Sequence, residues 1–335
     1  MSTKKLLIGI PIILILLSLV IFFLGPKVSY DKVNEEYSPL DLTIENIEKY
    51  VVGKEANFDL KPDNEARIVW LDSSAVKTAY ALVYLPGFSA TYFESAPLHT
   101  EFAARYGMNT YLARIHGHGI KGKESFKDLT PNQLIESAKE AIAIGKIIGE
   151  KVIIMGCSTG ATYSTYLAGG DEDIAALLYY SPNIDLEDQN SKLITGPWGK
   201  QLMEKINGGL YRDHDYNETM SKYWSVVYHI DGVIALRALI DQTMRRKEFT
   251  EIDQPVFLAY YYKNEEEKDM IVSVDAMKEF FKSTTTPAEK KRMVAIPDAG
   301  NHIIACDEVS RDVSSVKLET QLFAEEILGL IPIKK

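Results

Sequence analysis

Basic charge, cysteine and repetition are what this sequence has least of. Against 47 Asp and Glu stand 37 Lys and Arg, a formal net charge of −10 over 335 residues. A sequence-independent nucleic-acid binder needs a basic face to displace counterions from phosphates. No basic stretch here exceeds three residues, as at Arg245-Arg246-Lys247, so nucleic acid is not an expected partner. Two cysteines, Cys157 and Cys306, make no disulfide framework and read as buried apolar thiols. There is no internal repeat and no low-complexity tract. With 46% hydrophobic and 25% charged residues, disorder is excluded for the bulk of the chain, and one large α/β domain with insertions is within reach.

The first residues differ from the rest. Lys4 and Lys5 precede the run Leu6 to Leu24, which holds no charged residue and is closed by Gly25-Pro26-Lys27. Nineteen apolar residues at about 1.5 Å per residue just span the hydrocarbon core of a bilayer. A cleaved secretory signal usually has a shorter apolar stretch and a small-x-small site, which Phe22-Phe23-Leu24-Gly25 does not offer. Residues 1–27 therefore read as an uncleaved signal anchor. Lys4 and Lys5 place its start in the cytoplasm and the main domain on the extracytoplasmic side. Residues 28–54 read as a polar juxtamembrane linker and a short helix at 43–50 capped by Thr43. The main domain is expected over 55–335.

From residue 67 apolar strands alternate with helical stretches. Strands are expected at 67–71, 80–85, 109–115, 151–155, 175–180, 255–262 and 291–296. Helices are expected at 96–106, 131–148, 159–168, 274–281 and 315–328, with Thr130 capping Pro131. This order predicts a mostly parallel sheet with helices on both faces. The 74 residues from Ser181 to Gln254 break the alternation. Rich in Trp and Tyr, and with a helix expected near 231–245, they read as a helical cap over one end of the sheet.

The sharpest motif is Gly156-Cys157-Ser158-Thr159-Gly160, between an apolar strand and a helix. A tight strand-to-helix reversal of this kind pushes the serine oxygen out at the carboxyl end of the sheet. A serine hydroxyl needs a base, and the base needs an orienting acid, following in that chain order as acid and then histidine. Three histidines follow Ser158. His214 and His229 fall in the expected cap, so His302, in the loop Pro297-Asp-Ala-Gly-Asn-His302, is the expected base. Asp269 is the expected acid, because Met270-Ile271-Val272 would draw its backbone inward. Asp298 is the alternative. Donors for an oxyanion are expected from the N–H of Thr159 and of Phe88, in the loop Pro86-Gly87-Phe88-Ser89. His116-Gly-His118 could share a metal, but catalytic zinc generally takes three protein ligands. No metal and no cofactor are expected.

Together Pro86-Gly87-Phe88, Gly156 to Gly160, Asp269 to Ser273 and Gly300-Asn301-His302 resemble the α/β-hydrolase superfamily. The nearest branch is that of monoacylglycerol lipases and serine aminopeptidase-like hydrolases. The resemblance spans about residues 66–328. That branch often carries Asp-x-Arg-Gly-His-Gly, where this chain has Arg114-Ile115-His116-Gly117-His118-Gly119, and often has a histidine where Pro86 stands. The resemblance implies an α/β-hydrolase fold and a serine hydrolase acting on carboxylic esters, including monoacylglycerol-like lipids. A peptidase or amidase of the same fold is the alternative, with Glu204, Asp213, Asp215 and Glu218 available to bind an amine. A non-catalytic membrane-tethered scaffold is the third reading.

Overall fold

The structure is a computed structural model describing residues 16–36, 40–72 and 74–333. Within these, the strands are β1 (Arg67–Val69), β2 (Thr78–Leu85), β3 (Asn109–Leu112), β4 (Gly149–Cys157), β5 (Ile174–Tyr180), β6 (Tyr211–Asp213), β7 (Val227–His229), β8 (Val256–Tyr260) and β9 (Lys291–Ala295). Seven form one sheet in the order β1-β3-β2-β4-β5-β8-β9. Only β1 runs antiparallel to its neighbour.

Strand side chains alternate between faces, and that alternation splits the interior into two cores. Ala81, Val83 and Leu85 of β2 and Val152 and Ile154 of β4 enter one; Leu82, Tyr84, Ile153, Met155 and Cys157 enter the other. The first core is covered by the helices Pro131–Ile148, Thr159–Ala168, Asp231–Thr243 and Val274–Ser283. The second lies under Leu98–Tyr106 and Val313–Glu326. The helix at Pro131 starts as its sequence suggests. Thr130 and Gln133 form a reciprocal capping box, with Thr130 N–H donating to Gln133 Oε1 at 2.9 Å. Because the central strands are parallel, the loops after β2, β4, β5, β8 and β9 all leave from one edge.

Two expectations need correction. The short helix runs Ile47–Glu55 rather than over 43–50, with Asn46 and not Thr43 at its cap position. Its buried residues, Ile47, Val51 and Glu55, recur every fourth position and set its limits. In the segment expected as a linker, a finer detail than the sequence carries, Val33 N–H donates to Gln242 Oε1 at 2.8 Å and Tyr166 Oη–H to Val33 O at 3.0 Å. The 181–254 insertion is not wholly helical. Strands β6 and β7 pair as an antiparallel ribbon between the helices Gly199–Asn207 and Asp231–Thr243. The latter helix packs on Pro131–Ile148 and Thr159–Ala168 and also on the segment Gln189–Thr195 of the insertion, joining the cover to the sheet layer.

Of the expected anchor, residues 1–15 lie outside the described residues, and 16–23 are helical. Among the described residues no helix is long and apolar enough to cross a membrane.

Arg114 owes its place to Glu55. Its guanidinium donates from Nε at 2.5 Å and Nη2 at 2.9 Å to the Glu55 carboxylate, both side chains being buried, and from Nη1 to His118 O at 3.2 Å. Truncating one partner of such a pair strands a buried charge. Glu55→Ala should lower unfolding free energy by about 3–5 kcal/mol, read from the denaturant midpoint. A loss below 1 kcal/mol would mean that Arg114 finds water instead.

Candidate active site

Ser158 stands where β4 gives way to the helix Thr159–Ala168, with φ +49° and ψ −115°. A non-glycine residue holds that backbone only when its surroundings impose it. Here they do. Ser158 N–H donates to Tyr180 O at 2.9 Å, and Ser158 O accepts from Ala161 N–H at 3.1 Å and Asn183 N–H at 3.0 Å. The flanking glycines are required by space. A Cβ on Gly160 would lie 1.9 Å from Leu85 O, and one on Gly156 2.8 Å from Ala161 N.

His302 arrives from the loop after β9 and Asp269 from the loop after β8. The Asp269 Oδ2 to His302 Nδ1 distance is 2.6 Å, and His302 Nε2 lies 3.0 Å from Ser158 Oγ. A ring proton on Nδ1, donated to the carboxylate, leaves Nε2 free to accept from the serine hydroxyl. The other carboxylate oxygen, Oδ1, accepts from the N–H of Ile271 at 2.9 Å and of Val272 at 3.1 Å. Asp269 is 1% exposed, whereas the run Glu265 to Glu267 beside it is solvated. Only Val272 of the apolar triplet goes inward; Met270 and Ile271 are exposed. Asp298 is exposed and takes no part, and His214 and His229 sit in the cover against Tyr228 and Asp231.

Burial by itself drives the His302 pKa down. The Asp269 carboxylate at hydrogen-bond distance, with a contribution from Glu94, more than reverses this and leaves it above its ordinary 6.5. His118 has no such partner, and burial pushes it down to about 4. It is wedged between Phe88 and Phe126, with ring centroids 5.8 and 4.8 Å away, and steadies the loop that carries Phe88. His116 points to solvent. No group of three or more His, Cys, Asp or Glu residues able to hold a metal occurs among the described residues.

The N–H of Thr159, first residue of its helix, is a donor that helix geometry leaves unpaired. Phe88 and Thr159 line the same cavity as Ser158 and His302, a space of about 820 Å³ between the sheet edge and the cover. Of the four acidic residues considered for amine binding, Asp213 lines it and Glu204, Asp215 and Glu218 do not.

Glu94 escaped the sequence reading. It is 2% exposed, and its Oε2 accepts from Gly87 N–H at 2.6 Å and from Tyr84 Oη–H at 3.3 Å. Burial raises its pKa. Its only sequence signal is isolation: apart from His99, no other charged or titratable acid or base of the Asp, Glu, Lys, Arg type stands between Lys77 and Glu101.

No family model matches the chain, and no curated protein matches it either. Solved structures do. One is of the metagenome-derived lipolytic enzymes LipS and LipT, at TM-score 0.62 and 13% identity, covering 79% of this chain and 98% of that one. A monoacylglycerol lipase of Paleococcus ferrophilus matches at TM-score 0.54 and 13% identity, over 78% and 99%. A monoglyceride lipase of Saccharomyces cerevisiae matches at 0.55 and 12%, over 78% and 91%. The chain has the α/β-hydrolase fold.

Two outcomes check the site. In Asp269→Asn the imidazole of His302, followed by NMR, should titrate below its position in the parent, because burial then acts unopposed by the carboxylate. An unchanged titration would show that Asp269 does not set it. Glu94→Ala should lose about 1–3 kcal/mol of stability by leaving Gly87 N–H buried and unpaired. Glu94→Gln, which keeps an acceptor, should recover most of it, and equal losses would contradict the role assigned to that bond.

Proposed function

We propose that this protein is a membrane-tethered serine hydrolase that cleaves carboxylic esters through an acyl-enzyme. The observation that carries the reading is the unbroken hydrogen-bonded line from Ser158 Oγ through His302 to Asp269, opening into a cavity at the carboxyl edge of a parallel sheet. Lipase and esterase neighbours of the same fold support the ester class.

Ser158 Oγ attacks the ester carbonyl while His302 Nε2 takes its proton. The new C–O bond turns the carbonyl oxygen into an oxyanion, which the N–H groups of Phe88 and Thr159 stabilise. Collapse expels the alkoxide, which leaves as alcohol with the proton from His302. Water, deprotonated by the same nitrogen, then attacks the acyl-serine; the acyl–Oγ bond breaks, His302 returns the proton to Ser158 Oγ, and the acid departs. Asp269 holds the ring in the required tautomer throughout. Glu94 holds Gly87, and through it the loop bearing the Phe88 donor. The apolar run from Leu6 to Leu24 would anchor the enzyme, and Lys4 and Lys5 favour a catalytic domain on the extracytoplasmic side.

The full chain in detergent should hydrolyse p-nitrophenyl esters, with Ser158→Ala at least about 10³-fold slower. Because His302 must be neutral to act as base and its pKa is raised, kcat/KM should climb with pH through a midpoint above 6.5. Folded protein that leaves esters intact but cuts peptide amides would move the reading to a peptidase. Cleavage of neither would move it to a scaffold.

A further inference from the structure

Exposed apolar side chains stand along one part of the cavity lining, beside the exposed polar residues Asp188, Asn190 and Asp213. Ile206, Met270 and Ile271 are 73%, 65% and 57% exposed, and with Leu193 and Leu202 they both face solvent and line the cavity that holds Ser158. Leu202 and Ile206 are one turn apart on the helix Gly199–Asn207, while Met203 between them turns inward. Large apolar side chains left exposed along one cavity mark a contact site.

The end of the N-terminal apolar run is fastened to this same rim. Trp198, which precedes that helix, donates from its backbone N–H to Pro26 O at 2.8 Å and from Nε1 to Ile21 O at 3.4 Å. A Cβ on Gly25 would lie 2.0 Å from the indole Nε1, so glycine is what lets the two pack. The following residues are clipped to the domain at Val33. Phe22, Phe23 and Leu24, the last apolar residues before this junction, are exposed. A bilayer holding residues 6–24 would therefore end within reach of Trp198, a residue type favoured at membrane–water boundaries. Lys27, next to the junction in sequence, and Lys205, on the helix that carries Leu202 and Ile206, are exposed and have no carboxylate partner among the described residues.

We propose that Leu193, Trp198, Leu202, Ile206, Met270 and Ile271 form a rim seated in the surface of the bilayer that holds residues 6–24. The cavity mouth then opens onto lipid, and the acyl chain of a membrane-resident ester enters it without crossing water. The docking surface rests on this geometry together with the anchor reading of residues 6–24; the ester it delivers rests on the hydrolase reading above.

The test uses the full chain in phosphatidylcholine nanodiscs. An environment-sensitive fluorophore is placed at Ile206→Cys and, as control, at Glu289→Cys beside the amino end of β9, the two native thiols being buried. Brominated-chain lipid should quench the label at 206 several-fold more than that at 289; equal quenching overturns the docking surface. In parallel, kcat/KM is measured for a long-chain monoester held in the nanodisc and for a short water-soluble ester. In Ile206→Ser/Met270→Ser the ratio of the two should fall about tenfold, since both side chains lose apolar burial in lipid. An unchanged ratio overturns the direct entry of the acyl chain. Strong quenching at 206 with neither ester cleaved by the parent chain would leave the surface standing and remove the hydrolase reading instead.

Discussion

The approach of Gly160 to Leu85 O is the constraint on which the rest of the site depends. With 1.9 Å available where a Cβ would stand, the start of the helix Thr159–Ala168 can sit directly against the end of β2. That contact brings the turn at Ser158 beside the loop at Gly87, where an added Cβ would lie 3.0 Å from Ser158 Cβ. The left-handed conformation of Ser158 follows from the same closeness. The backbone has too little room to reverse gently, and its hydrogen bonds to Tyr180, Ala161 and Asn183 hold the strained form.

Around this turn the charges are arranged so that each buried carboxyl has donors. Asp269 accepts from two backbone N–H groups and the His302 ring; Glu94 accepts from Gly87 and Tyr84. The two act in the same direction on His302 against its burial. Farther out, the Glu55–Arg114 pair secures the loop whose His118 supports Phe88. Arg114 thus finds its carboxylate on the helix Ile47–Glu55, outside its own loop.

The apolar residues of the cover are shared between its own packing and the cavity. Trp224 and Tyr228 are buried, whereas Leu202, Ile206 and the neighbouring Met270 and Ile271 stay open to solvent. Met270 and Ile271 are exposed by the hydrogen bonds that fix Asp269. Wrapping the backbone of Ile271 and Val272 around that carboxylate turns the Ile271 side chain out at the mouth. The demand of the acid for donors and the apolar character of the rim are two results of one turn.

Short-range patterns in the sequence determined the alternating strands and helices, the Thr130 cap and the strand-turn-helix at Ser158. Each of these is read from periodicity or from a backbone need within a few residues, so no distant partner has to be known. Tertiary structure alone decided between Asp269 and Asp298, paired β6 with β7, moved the first helix to Ile47, and joined Glu94 to Gly87 and Arg114 to Glu55. It also set the end of the N-terminal apolar run against Trp198, 172 positions from Pro26. Contacts of that kind depend on which remote segments meet when the chain closes its two cores, and no local pattern of residues carries that information.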